Sequence, residues 1–381
     1  MISKIKICHI ITKLELGGAQ KNTLYTVSNL NKEEFEAFLI SGEKGILDGE
    51  ANKKLNAKFI SLHWMRRKIN PLFDMIALIQ LIIILKKLNP DIIHTHSSKA
   101  GILGRWAGYL SGVRIRIHSI HGFGFYPQQF FLIKWIFIHL EKITGLITTH
   151  FIAVSKNNIE YGSKLKILKK DNVSLIRSGI EIERFTNVRV DRDKKKKELG
   201  LPLNKKIIGM IVPFKPQKAP LDFVRIARLL KNEMPNTHFV LVGDGELRKK
   251  IEKEIKKSNL IESFSLLGWR YDIEEIYQIL NVLVLTSIYE GLPQVIPQAF
   301  SSEVPVVATS VDGNAEIIND GQNGFLFKPH DFNDAKEKII ALLRNSELSK
   351  SFAEKNKKML DEFEINSMVK KQEKLYKQLF S

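Results

Sequence analysis

Cysteine is almost missing from these 381 residues. Cys8 stands alone, so no intrachain disulfide can form, and its apolar, strand-like surroundings make it a core residue. That scarcity fits a reducing compartment. Long uncharged apolar runs are lacking too. Residues 72–85 are very apolar, but Asp74 and Gln80 interrupt them and they fall short of the roughly 20 residues that span a bilayer, so a buried helix is expected. Residues 1–11 lack the apolar region and small-residue cleavage site of a signal peptide, which places the expectation in the cytoplasm. Acidic residues are scarce relative to basic ones, 41 against 59, for a net charge of +18. The imbalance is uneven: 12 acids face 26 bases in residues 1–180, and 29 face 33 in the remainder. A basic first half attracts anionic lipid, nucleic acid or a phosphorylated acceptor, and solvated helix faces explain it equally well.

What is present suffices for two cores, since 44% of the residues are hydrophobic. Strand-like and helix-like segments alternate: strands at 4–11, 35–40, 91–94 and 114–119, helices at 19–30, 72–88 and 98–110. Such alternation predicts an α/β chain with doubly wound parallel sheets, whose ligands collect beyond the strands' carboxyl ends. Gly17 and Gly18 follow the first strand, where glycine lets the backbone come close to a phosphate. His94 reads as a satisfied core histidine, while His96, Ser98 and Lys99 stay open. His121 stands before Gly122 at a strand's end, placed to reach a bound sugar or simply to make a turn. Residues 123–140 hold Phe123, Phe125, Tyr126, Phe130, Phe131, Trp135 and Phe137, for which an internal helix is the favoured reading and a membrane-docking surface the alternative.

The second half is organised around residues 286–300. The apolar run 282–285 reads as a buried strand, and Pro293 suits the first turn of a helix. A strand-to-helix junction points unpaired N–H groups and a helix dipole at its ligand, as a diphosphate requires. Glu290 would meet a sugar hydroxyl and Gln298 a ribose. Glu290-Gly291-Leu292-Pro293 with Gln298-Ala299 resembles the retaining glycosyltransferases of family 4, of GT-B fold, whose motif is Glu, seven residues and Glu, followed by Ala. Gln298 departs from that pattern and loses a charge-assisted hydrogen bond.

This resemblance implies further roles. Gly17-Gly18-Ala19-Gln20 faces donor phosphates and acceptor, and Ser119-Ile120-His121-Gly122 sets His121 against the donor hexose. Lys218 clamps the leaving diphosphate. Pro213 and Ala219 stand where the family has Arg and Gly, with Lys215 as a replacement cation. Gly243, Gly245 and Arg270 fall in loops around the nucleotide base, and Gly291, Leu292 and Pro293 beside the donor. Residues 191–198, an Asp-x-Asp heading a lysine run, read as a solvated hinge or first helical turn and not as a metal motif.

The expected organisation is an acceptor-side Rossmann-like domain at 1–185, a linker at 186–205, a nucleotide-sugar domain at 206–362 facing it across a cleft, and a terminal helix at 363–381 packing back on the first domain. The implied activity is retaining transfer of a hexose or N-acetylhexosamine from a nucleotide diphosphate sugar, in the first instance a UDP-sugar, to an acceptor hydroxyl, with no metal or other cofactor. The basic half and its aromatics point to a lipid-linked saccharide in surface glycan assembly, to peripheral contact with the anionic inner face of the cytoplasmic membrane, and away from nucleic acid. Two alternatives share the sequence features, a non-hydrolysing UDP-sugar epimerase and a non-catalytic nucleotide-sugar-binding protein.

Overall fold

The computed structural model describes residues 4–125 and 129–381. It divides into two compact units, one running to Gly179 and completed by Ile365–Ser381, the other Ile180–Glu364.

Unit 1 carries seven parallel strands: β1 (Ile5–Lys13), β2 (Phe35–Gly42), β3 (Phe59–Leu62), β4 (Ile92–His96), β5 (Ile115–Ile120), β6 (His150–Ala153) and β7 (Val173–Leu175). Their order is β3-β2-β1-β4-β5-β6-β7. Parallel strands need crossovers, supplied by α1 (Gly18–Asn29), α2 (Asp48–Leu55), α3 (Pro71–Leu88), α4 (Ser98–Leu110), α5 (Phe131–Leu146) and α6 (Lys156–Lys164). Helices on both faces explain why the strands read as near-continuous apolar runs. Cys8, Ile10, Ile40 and Ile93 pack under α3 and α4, whereas Ile11 and Leu39 pack under α1 and α2 on the opposite face.

Unit 2 repeats the scheme with β8 (Lys206–Ile211), β9 (Thr237–Val242), β10 (Phe264–Leu266), β11 (Val282–Leu285), β12 (Val306–Thr309) and β13 (Phe325–Phe327), ordered β10-β9-β8-β11-β12-β13. Its helices are α7 (Ile182–Thr186), α8 (Arg192–Glu198), α9 (Pro220–Glu233), α10 (Arg248–Lys257), α11 (Ile273–Ile279), α12 (Val295–Ser301), α13 (Asp312–Ile317), α14 (Phe332–Arg344) and α15 (Ser346–Lys357). The last helix, α16 (Ile365–Phe380), belongs to unit 1. Its Ile365, Met368, Val369, Leu375 and Tyr376 share a core with Ile7, Ile92, Ile117 and Ile152.

Two expectations are corrected, and a third is decided between its alternatives. Residues 192–198 take the helical one: Asp191 caps α8 by accepting from the N–H groups of Asp193 and Lys194, and Lys195 and Lys196 are buried while the rest of the run is solvated. α3 is well bounded, with Asn70 accepting from the Phe73 N–H, Pro71 in its first turn and Asn89 in the left-handed conformation at its end. Yet it is not a buried helix, because only the stripe Ala77, Leu81 and Leu85 faces the core. Residues 123–140 divide as well. Phe125 is buried and stacks on Phe123 with ring centroids 5.1 Å apart, while Phe131 and Trp135 of α5 lie exposed; Tyr126 lies outside the described residues.

Each sheet has a point where its strand order reverses, between β1 and β4 in unit 1 and between β8 and β11 in unit 2. Crevices for ligands open there, beyond the strands' carboxyl ends.

Candidate functional site

In unit 2 the reversal point is formed by the chain leaving β8, residues 212–220, and the chain leaving β11, residues 286–294. Four hydrogen bonds lace them together. Thr286 Oγ1 lies 3.0 Å from the Lys218 carbonyl and 2.9 Å from that of Ala219, the Ile288 N–H donates to the Gln217 carbonyl, and Gln217 Nε2 donates to the Tyr289 carbonyl. That lacing sets Lys218 Nζ 2.5 Å from Glu290 Oε1, and Ser287 Oγ donates to the same oxygen at 2.6 Å. The Glu290 N–H in turn donates to Asp312 Oδ2 at 3.1 Å. Glu290 is 7% exposed, so neither partner can lose the other without leaving a poorly solvated charge. Sequence reasoning named Lys218 and Glu290 but missed Ser287, three residues before Glu290 in the same loop, and Asp312, which only the fold brings there.

The neighbouring loop differs in detail from expectation. α12 starts at Val295 after Gln294, so Pro293 precedes the helix instead of opening it, its carbonyl accepting from the Ile296 N–H at 3.3 Å. Gly291 lies against Gly313, where an added Cβ would come within 2.1 Å of the Gly291 oxygen, and Leu292 is buried. Gln298, 8% exposed, places Oε1 3.2 Å from the hydroxyl of the fully buried Tyr277, so it is anchored to the interior of unit 2.

Gly243, Gly245, Lys215 and Ala219 surround the exit of β8. Gly243 adopts φ +125°, and a Cβ there would sit 2.0 Å from the Val212 oxygen; Gly245 lies similarly close to Phe214. These glycines therefore serve close backbone packing. Lys215 precedes the short helical turn Pro216–Lys218, and Ala219 after it is left-handed at φ +44°, ψ +51°. Arg270 is ion-paired within unit 2. It spans Asp272 with Nε to Oδ1 at 2.8 Å and Nη2 to Oδ2 at 2.5 Å, and Asp272 also takes Lys195 Nζ at 2.6 Å. Arg270 and Lys195 hold the Asp272 carboxyl well below the usual carboxylate range. This cluster ties α8 to α11.

In unit 1, Gly17 precedes α1 and Gly18 opens it, with no side chain capping the leading N–H groups. His121 follows β5 and shares a hydrogen bond, Nε2 to His96 Nδ1 at 3.2 Å; His96 Nε2 continues to His9 Nδ1 at 3.1 Å. His9 was missed in the sequence, although β1 pairs with β4 so that His9 lies opposite His94. Burial lowers the pKa of His9 to about 3 and that of His121 to about 4, and depresses His94, His96 and His118 as well. All five are neutral at pH 7.

His94 is a satisfied core residue. Its Nδ1 lies 2.7 Å from Tyr376 Oη, which donates its own proton to Gln372 Oε1, so His94 carries its proton on Nδ1 and accepts from Ser119 Oγ at Nε2. Lys99 is likewise engaged, 2.6 Å from Asp74 and 2.7 Å from the Lys68 carbonyl. Nitrogens of His9, His94 and His96 lie within 4.8 Å of one another, the grouping among the described residues that could hold a metal ion. With both His94 nitrogens already bonded, a chain of neutral imidazoles accounts for the distances. His121 ends that chain beside a pocket lined by Asn22, Thr23, His96, Ser119, Ser178 and Gln372.

Comparison with known proteins follows the two units. The family model "Glycosyltransferase Family 4" matches residues 16–184 and "Glycosyl transferases group 1" matches residues 191–359. The chain is 33% identical over 377 residues to the UDP-Gal:alpha-D-GlcNAc-diphosphoundecaprenol alpha-1,3-galactosyltransferase of Escherichia coli, covering 98% of this chain and 97% of that one. It is 28% identical to the N,N'-diacetylbacillosaminyl-diphospho-undecaprenol alpha-1,3-N-acetylgalactosaminyltransferase of Campylobacter jejuni, over 85% and 86% of the two chains. Among solved structures, Anabaena HepE in complex with UDP and glucose superposes with a TM-score of 0.85 at 17% identity, over 98% of this chain and all of that one.

Proposed function

This chain belongs to the family 4, group 1 glycosyltransferases, and from that membership we propose that it moves a hexose or N-acetylhexosamine from a UDP-sugar to a hydroxyl of a diphosphate-lipid-linked saccharide, retaining the anomeric configuration. The observation that carries the reading is the buried Lys218–Glu290 pair at the reversal point of the second sheet. A donor diphosphate entering there competes for Lys218. As Lys218 turns from carboxylate to phosphate, Glu290, still held by Ser287, is freed to accept from sugar hydroxyls. Cleavage of the sugar C1–O bond leaves charge on the diphosphate, stabilised by Lys218 and by backbone N–H groups of the loop before α12. The acceptor oxygen bonds to C1 on the face the phosphate leaves, and its proton passes to the departing phosphate oxygen. Lys218 supplies the counter-charge, so the proposed step runs without a metal. Neutral His121, braced by His96, keeps hydrogen-bonding capacity at the end of β5 within unit 1. Both undecaprenyl-linked relatives support the acceptor class, and HepE with UDP supports the donor nucleotide. An acceptor of that kind sets the reaction at a membrane surface.

Purified protein incubated with a panel of UDP-sugars, with and without an undecaprenyl-diphosphate-linked GlcNAc acceptor, tests this. An α-linked product requiring acceptor is expected, whereas a donor epimerised without acceptor would favour the epimerase. Glu290→Gln should lower turnover at least about a hundredfold, the loss of one preorganised contact being worth about 2.7–4 kcal/mol. Wild-type turnover in that variant would remove Glu290 from the mechanism.

A further inference from the structure

We propose that the outward faces of α3 and α5 together form a docking surface that seats unit 1 on an anionic lipid bilayer. This rests on the reading of a lipid-borne acceptor given above. In α3, Leu72, Met75, Ile79 and Ile83 form one row at helical spacing, opposite the buried stripe, and are 67%, 56%, 50% and 61% exposed. α5 adds Phe131 at 73%, Trp135 at 55%, Ile143 at 51% and Leu146 at 86%. Soluble surfaces seldom gather so many large apolar side chains.

The two helices flank α4 and are joined through it. α3 and α4 share one core beneath them, and α4 holds α5 by Arg105 Nη2 to Glu141 at 2.7 Å and by Trp106 Nε1 donating to Thr144 Oγ1 at 3.1 Å. Tyr109 and Leu110 at the end of α4 are each 52% exposed as well.

Charge decides which occupant fits. α3 and α5 contain one acid each, Asp74 and Glu141, and both are turned inward and neutralised, by Lys99 and by Arg105. The remaining charges are cationic: exposed Lys68 before α3, exposed Lys86 and Lys87 in its last turn, and half-buried Lys134 and Lys142 along α5. Aromatic and aliphatic side chains ringed by lysine match the boundary between headgroups and acyl chains in a membrane bearing anionic lipid. No described helix is long and apolar enough to cross a membrane, so the contact lies in the surface plane. Two copies meeting through this face would bring like charges together.

Flotation of the full-length chain with vesicles of phosphatidylcholine, alone or mixed with phosphatidylglycerol and free of acceptor lipid, tests the surface directly. Co-flotation is expected with the mixed vesicles and should weaken as salt rises; Trp135 emission should shift to the blue. Ile79→Glu combined with Trp135→Glu should lower the partition coefficient about tenfold or more. Both sites are exposed, so far-ultraviolet circular dichroism should be unchanged. The same double variant should keep wild-type turnover on a short-chain, water-soluble diphosphate-linked acceptor. No flotation at low salt, or flotation indifferent to the double substitution, overturns the proposal. So does a wild-type dimer in sizing chromatography that the substitutions convert to monomer, since the face would then join two copies. Vesicle binding with no transfer to any diphosphate-linked saccharide would remove the acceptor reading while leaving the surface standing.

Discussion

Ala219 shows how one residue can be read twice. In the sequence it stands where related chains carry glycine, and in the structure it holds φ +44°, a left-handed conformation that costs an L-residue roughly 1–2 kcal/mol. Ala219→Gly should therefore stabilise unit 2 by about 1 kcal/mol, part of the relief being offset by unfolded-chain entropy. For a unit of this size that raises its melting temperature by about 2–4 °C, measurable by scanning calorimetry. An unchanged or lower melting temperature would show that the turn bears no strain. Glu290, Lys218 and His121 were legible as site candidates because strand ends and glycine-rich loops are visible in a sequence. Arg270 was not legible as a structural residue. Its partner Asp272 lies two positions on, but Lys195, the other cation on that carboxylate, lies 77 positions back.

At the scale of the element, α4 packs its backbone closely on the sheet of unit 1. Gly101, Gly104 and Gly108 face the sheet, and an added Cβ at Gly108 would come within 2.3 Å of Ile93 Cδ1. The helix thus lies close on β1, β4 and β5, leaving α3 and α5 to flank it. Gly108→Val should overpack that contact and cost unit 1 about 1–3 kcal/mol, seen as an earlier transition in denaturant unfolding. A transition unmoved by the substitution would mean that Ile93 repacks freely. Strand existence was easy to read, since a doubly covered parallel strand is apolar throughout. The lateral environment of a helix was not. α3 and the aromatic stretch of α5 both read as interior because their composition is that of a buried helix, while burial depends on what lies against the outer face.

For the whole molecule, the two units differ in how they meet acid. Unit 1 holds His9, His94, His96, His118 and His121 with depressed pKa values, and unit 2 holds His238, lowered to about 4. In the unfolded chain each imidazole titrates near 6.5. Below that pH the unfolded state binds more protons than the folded one, so the stability these imidazoles contribute falls as pH drops below about 6.5, down to about 3 for His9 and about 4 for His121 and His238. Unit 1, with six such groups once half-buried His150 is counted, should lose stability first. Calorimetry between pH 7.5 and about 5 should show one transition moving down faster than the other, and a Gly108→Val variant, which destabilises unit 1, should lower that same transition. Equal shifts in both transitions would mean that the imidazole chain is not buried in solution. The sequence alone determined two parallel α/β units, their reversal-point loops and the glycosyltransferase family, because these follow from local periodicity and from residues close together in the chain. Tertiary structure alone decided that Asp312 holds the Glu290 backbone, that three imidazoles are chained from β1 to the end of β5, and that two apolar helix faces stay uncovered. Each of these depends on contacts between segments far apart in sequence, which no local pattern encodes.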